Sequence, residues 1–90
     1  MNLRWSQEKA NELKCGRDID VHHLADLMRE GEQIDSFPNP QKPHQTVFIF
    51  NINNYALVAI CVPDSENERG LFLKTAYLSR EHTKFYLRKT

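Results

Sequence analysis

Residues 46–52 (TVFIFNI) and 55–62 (YALVAICV) are two runs of β-branched and aromatic residues separated only by Asn53 and Asn54. A two-residue connection leaves no room for a crossover, so the two strands must pair antiparallel. Asparagine tolerates the positive φ that such a tight turn demands at both central positions. This hairpin places a β-sheet in the middle of the chain, and the rest must pack on it. Residues 63–70 are polar and read as a longer loop, and 71–77 (LFLKTAY) supply a third strand of an antiparallel meander. Upstream, residues 36–43 hold three prolines and an asparagine, which predicts a loop, neither helix nor central strand.

The flanks read as helical. Residues 3–5 form a possible short edge strand, after which Ser6 is placed to cap a helix over 6–14. Trp5 is positioned to staple against Ala10, with Leu13 on the same side, and Gly16 predicts the end. A second helix starts after Asp20; Val21, Leu24, Ala25, Leu27 and Met28 recur at helical spacing, and Gly31 is the expected C′ residue. The pair predicts a helical hairpin with one apolar face. Ser79 then caps a last helix over 79–90 (SREHTKFYLRKT), too short to persist unless docked. Helices segregated from a twisted antiparallel sheet of three to four strands make the expected class α+β.

Ninety residues suit a single domain, 1–90. The 40% apolar and 27% charged composition excludes a disordered tail. The longest apolar run, 55–62, falls far short of the ~20 residues of a membrane-spanning helix. The opening MNLRWS has no apolar leader segment, so the expected compartment is the cytoplasm. Cys15 and Cys61 are far apart and lack a CxxC partner, which points to reduced thiols and not to a disulfide framework or zinc site.

A formal net charge of zero hides an asymmetry. Residues 1–68 contain six basic and eleven acidic side chains, a balance of −5. Residues 69–90 contain six basic ones (Arg69, Lys74, Arg80, Lys84, Arg88, Lys89) against Glu81 alone, a balance of +5. Such a block is either a solvated basic helix or a patch able to meet phosphate.

Few chemistries fit these residues. His22 and His23 are adjacent and diverge by about 100° on a helix, and His44 and His82 have no ligand at local spacing, so no metal is expected. Ser79 is more simply a cap than a nucleophile, and the three isolated glycines make no phosphate loop, so no cofactor is expected either. What remains is 74–86 (KTAYLSREHTKFY). Its cations can stabilise charge building on a phosphate, and Tyr77, Tyr86 or His82 can move protons, which is what metal-free RNA cleavage by a 2′-hydroxyl requires. Equally, Tyr77 and Tyr86 read as half-buried core aromatics and Lys74 as a side chain snorkelling at a sheet edge.

Trp5-Ser6-x-x-Lys9, then Ile19-Asp20-Val21-x-x-Leu24-Ala25, then Pro38-Asn39-Pro40 and Ile52-Asn53-Asn54-Tyr55, stand in the order found in a known family. The most specific stretch is Phe72-Leu73-Lys74-Thr75-Ala76-Tyr77-x-Ser79-Arg80-x-x-Thr83-Lys84-x-Tyr86-Leu87. Together they resemble the BrnT-like toxins, a branch of the RelE/ParE superfamily of type II toxin–antitoxin systems. The resemblance runs nearly end to end. It implies a RelE/ParE-like fold, metal-independent endoribonuclease activity on mRNA, free or on the ribosome, and a partner antitoxin, a small ribbon–helix–helix DNA-binding protein. It also implies Lys74, Tyr77, Arg80 and Tyr86 as catalytic residues. Lys84, with the neighbouring His82 and Arg88 and with His44 ahead of the first long strand, makes up the expected RNA contacts. The chain departs from the pattern at Asp18, where glycine is usual, at Leu78, where proline is common, and at Glu81-His82, which replace a basic residue and alanine. A non-catalytic domain of the same fold, binding an acidic protein segment or nucleic acid through its basic end, is the alternative.

Overall fold

The Asn53-Asn54 turn forms with φ of 51° and 66°, the doubly positive pair expected for the tightest hairpin connection. It joins β3 (Lys42–Ile52) to β4 (Tyr55–Pro63), which pair antiparallel from Ile52↔Tyr55 to Thr46↔Cys61. A computed structural model describes residues 1–88 of the chain. Its other elements are β1 (Asn2–Arg4), α1 (Gln7–Arg17), α2 (Val21–Arg29), β2 (Asp35–Asn39), β5 (Gly70–Ser79) and α3 (Arg80–Tyr86). The class is α+β, as the sequence predicts.

The sheet is larger than expected and mixed. Five strands lie in the order β1-β5-β4-β3-β2, with β1 parallel to β5 and the remaining pairs antiparallel. The proline-rich stretch is not a loop: Asp35–Asn39 pairs with β3 as the edge strand, with an irregularity between Pro38 and Asn39. Proline lacks a backbone donor, and an edge position is where a strand tolerates that loss. The last helix is shorter than predicted, seven residues, and Lys89 and Thr90 of the expected segment lie outside the described residues.

Local chemistry explains most helix ends. The Ser6 hydroxyl accepts from the Lys9 amide and the Asp20 carboxylate from the His22 amide, so both predicted N-caps form. α2 ends as predicted at Gly31 (φ +70°), where Gly31 N–H donates to Met28 and Glu32 N–H to Leu27. α1 does not stop at Gly16. It runs on to Asp18, which takes the left-handed conformation (φ 54°, ψ 40°) so that the Ile19 amide reaches the Leu13 carbonyl. Both Leu13 and Ile19 are buried, and seating them outweighs the ~1 kcal/mol that a helical glycine costs. A β-carbon at such φ costs roughly 1–2 kcal/mol. Asp18→Gly is therefore expected to stabilise the fold by about 1 kcal/mol in denaturant unfolding, after the entropy cost of glycine is deducted.

α1 and α2 lie on one face of the sheet, α1 chiefly against β5 and α2 against β1, with sparse contact between them. The core beneath them joins Leu13, Leu24 and Met28 to Phe48, Phe50, Leu57, Cys61, Leu73 and Ala76. Burial there pushes the Cys61 thiol up to about 12, so it is inert at neutral pH. Trp5 and Ala10 both pack against this core, and His22 sits edge-on to Trp5 at 5.2 Å. The opposite face carries a smaller cluster of Val47, Ile49, Ala56 and Val58, over which α3 is docked.

At the open end of the sheet Arg4 donates to Asp64 and Glu66 and lies over the Phe72 ring, tying β1 to the β4–β5 loop. The Glu66 amide, then Arg4, hold the Asp64 carboxyl below its usual range. Its contribution to stability is present above the unfolded-state value of about 3.9 and disappears as pH falls through the lower folded value. Asp64→Asn is expected to be less stable than the parent at neutral pH. It should also lose less stability on acidification, which thermal unfolding across the carboxylate range measures.

Candidate nucleic-acid interface

The β4–β5 register decides where the basic block points. Cys61 pairs with Leu73 and Ile60 with Thr75, so Lys74 is the extra residue of a β-bulge. Leu73 and Ala76 both face the helix-side core although they are three positions apart. The bulge thus resets the alternation of β5 and puts Tyr77, with its pair partner Val58, on the face that α3 covers. Lys74 is exposed, and Tyr77 is half-buried against the smaller cluster.

α3 is held by three polar anchors. Thr83, 2% exposed, donates to the Ser79 carbonyl at 2.6 Å and accepts from the Ala56 amide at 2.8 Å. Ser79 caps the helix through the His82 amide (3.1 Å), and its Oγ lies 2.7 Å from His82 Nδ1. The Tyr86 hydroxyl donates to the Asp35 carboxylate, pinning the far end of α3 to the edge strand. That bond, with some burial, raises the Tyr86 phenol above its ordinary value. Tyr86 also stacks on His82, centroids 6.3 Å apart. With its proton committed to Asp35 and held more tightly, Tyr86 is a poor proton donor to a ligand, and the half-buried core reading of both tyrosines holds alongside any functional one.

The predicted residues are only partly brought together. Tyr77, His82 and Tyr86 share the α3-covered face, and Arg80 is exposed in the first turn of α3. Lys74 precedes Arg80 by six residues of mostly extended chain, roughly 20 Å at 3.3 Å per residue, too far for both to grip one phosphate. His44 lies at the opposite end of β3 from the hairpin turn. It is seven residues from Asn51, the partner of Ala56 where α3 docks, or about 23 Å along the strand. His44 therefore stands apart from the α3 residues. The four best-formed surface cavities do not join the set either: none is lined by Lys74, Tyr77 or Arg80. The best enclosed, about 430 Å³, lies on the helix side between Asp18–Leu24 and the hairpin turn, lined by Ile52, Leu57 and Leu78 among others. A second, about 510 Å³, lies against α3 and includes His82, Lys84 and Tyr86.

Carboxylate pairing divides the two parts of the chain only in part, since Arg17 and Lys42 of the first part also have no carboxylate within 4.0 Å among the described residues. Arg4, Lys9, Lys14 and Arg29 each face a carboxylate. Lys74, Arg80, Lys84 and Arg88 are all exposed and have no carboxylate within 4.0 Å among the described residues. Comparison with protein-family models, with curated proteins and with solved structures finds no match for this chain.

One cation was missed by the sequence reading. Arg17 donates to the Ala76 carbonyl (2.7 Å) and to Thr75 Oγ1 (3.2 Å), beside the bulge. β1 pairs only with Gly70–Phe72, so from Leu73 onward β5 has no strand on that side, and Arg17 satisfies a carbonyl there. No motif announces this, because it depends on α1 running past Gly16. Among the described residues no three His, Cys, Asp or Glu side chains cluster as a metal group, and no helix is long and apolar enough to cross a membrane.

Proposed function

We propose that the chain is the toxin of a type II toxin–antitoxin pair, BrnT-like, with a RelE/ParE-like fold, acting as a metal-independent endoribonuclease on mRNA in the cytoplasm. The observation that supports this reading is the set of unpaired cations Lys74, Arg80, Lys84 and Arg88 beside three proton-transfer side chains. Unpaired surface cations are stabilised by a polyanion.

In this reading the 2′-oxygen of RNA forms a bond to phosphorus while the bond to the 5′-oxygen breaks, leaving a cyclic phosphate and a 5′-hydroxyl. Arg80 stabilises the charge that builds on the phosphate, and Lys74 holds the phosphate of another nucleotide along the strand. When His82 Nδ1–H donates to Ser79 Oγ, whose other lone pair takes the His82 amide, Nε2 is left to accept the 2′-hydroxyl proton. Tyr77, whose hydroxyl has no hydrogen-bond partner among the described residues, donates to the leaving oxygen. A phenol O–H is a competent general acid toward an alkoxide leaving group. Tyr86, committed to Asp35, positions α3. The antitoxin, a ribbon–helix–helix protein, covers the same basic face. Brief induction should arrest growth and leave cleaved transcripts, with rescue by the adjacent gene; intact transcripts would remove the nuclease.

A second reading has its own support: none of the four best-formed surface cavities is lined by Lys74, Tyr77 or Arg80, and Glu81 sits beside Arg80. The domain then binds nucleic acid or an acidic protein segment without cutting it. Binding that weakens steeply with salt while RNA stays whole would favour this reading.

A further inference from the structure

Phe85 is 79% exposed, the most exposed large apolar side chain among the described residues. Leaving such a ring in water forgoes the stabilisation that burial gives and keeps its face open to a ligand. It is also held in place: the ring stands edge-on to Tyr86, centroids 4.8 Å apart at 80°. Tyr86 in turn is fixed by Asp35 and stacked on His82. An aromatic ring that is already oriented and has a free face loses little entropy when something stacks on it.

We propose that Phe85 is a stacking platform for an unpaired base of a single-stranded nucleic acid, with Lys84 and Arg88 holding the flanking phosphates. The inference rests on the nucleic-acid reading of this face and adds the substrate class, single strand and not duplex. Charge complementarity selects the occupant. Lys84 adjoins Phe85 in sequence, Arg88 follows three residues on, and both are exposed without a carboxylate partner among the described residues. A cavity of about 510 Å³ borders the ring, lined by His82, Lys84 and Tyr86 as well as Glu81. Cations with an interleaved aromatic are the recognition set for unstacked bases, since a duplex hides the base faces that a ring can meet.

The test uses the full chain and an oligodeoxythymidine, which lacks the 2′-hydroxyl and is not consumed. Phe85→Ala should weaken binding about 5- to 150-fold, the loss expected for one stacked base. The slope of log K against log salt should stay unchanged. Lys84→Ala and Arg88→Ala should each reduce that slope by roughly 0.7–1. Phe85→Trp should keep binding and show quenched fluorescence with the oligonucleotide but not with an abasic strand of equal charge. Because the ring is exposed and meets the fold at Tyr86, Phe85→Ala should cost no more than one aromatic edge contact in thermal unfolding, while the exposed Lys84 and Arg88 variants should not shift it. Parental affinity in Phe85→Ala, with slopes still falling in the two cation variants, would overturn the platform and spare the nucleic-acid reading. No salt-dependent binding by the parent would overturn both. Loss of a protein partner with oligonucleotide binding intact would reassign Phe85 to a protein interface.

Discussion

On the nuclease proposal, Arg80→Ala is expected to cut RNA about 10²–10³-fold more slowly than the parent, the usual loss when one donor to a developing oxyanion is removed. The same variant should be slightly more stable. Arg80 is exposed and without a carboxylate within 4.0 Å among the described residues, so no bond within the fold is lost. It also stands at the first residue of α3, where a positive charge opposes the helix dipole by roughly 0.3–1 kcal/mol. A residue kept at a cost in stability and required for turnover is the signature of a functional charge. Arg80→Lys keeps the charge and loses the planar fork, so its rate should fall between the two. Single-turnover cleavage of a defined transcript, paired with denaturant unfolding, reads both quantities. Equal rates for parent and Arg80→Ala would take Arg80 out of the chemistry.

The parts of this structure that sequence made legible are those set by a few neighbouring residues. Asn53-Asn54 specify a turn, Ser6, Asp20 and Ser79 specify caps, and Gly31 specifies a helix end, each through bonds closed within six residues. What escaped was set across the chain. The Pro38 strand exists because β3 offers it a partner, and the expected N-terminal edge strand finds its partner in β5, parallel and nearly seventy residues away, with Asn2 beside Gly70. Gly16 failed as a stop because Leu13 and Ile19, both buried, fix the phase of the turn. The site shows the same division. Residue types at 74–86 allow phosphate chemistry, but the bulge at Lys74 and the Tyr86–Asp35 tie decide which side chains meet, and both depend on partners more than ten positions away.

α3 is only seven residues long, well below the ~12–15 at which an isolated helix becomes even marginal in water, so its docking decides whether the basic face exists. Thr83 is the residue to test. Its hydroxyl is the acceptor for the Ala56 amide and the donor to the Ser79 carbonyl, and the site is dry at 2% exposure. Thr83→Val keeps the shape and removes both bonds, leaving a buried amide unpaired, which costs about 1–3 kcal/mol. In a domain of this size each kcal/mol lowers the unfolding midpoint by about 4–8 °C. Thr83→Ser keeps the hydroxyl and should lose only about 0.8 kcal/mol for the missing methyl. Amide exchange at Ala56 should accelerate in the valine variant and stay slow in the serine one. If α3 presents His82, Phe85 and Arg80 to a nucleic acid, the valine variant should also bind the oligodeoxythymidine more weakly, though Thr83 itself touches no ligand. Unchanged stability and exchange in Thr83→Val would mean that Tyr86 and the apolar contacts hold the helix by themselves.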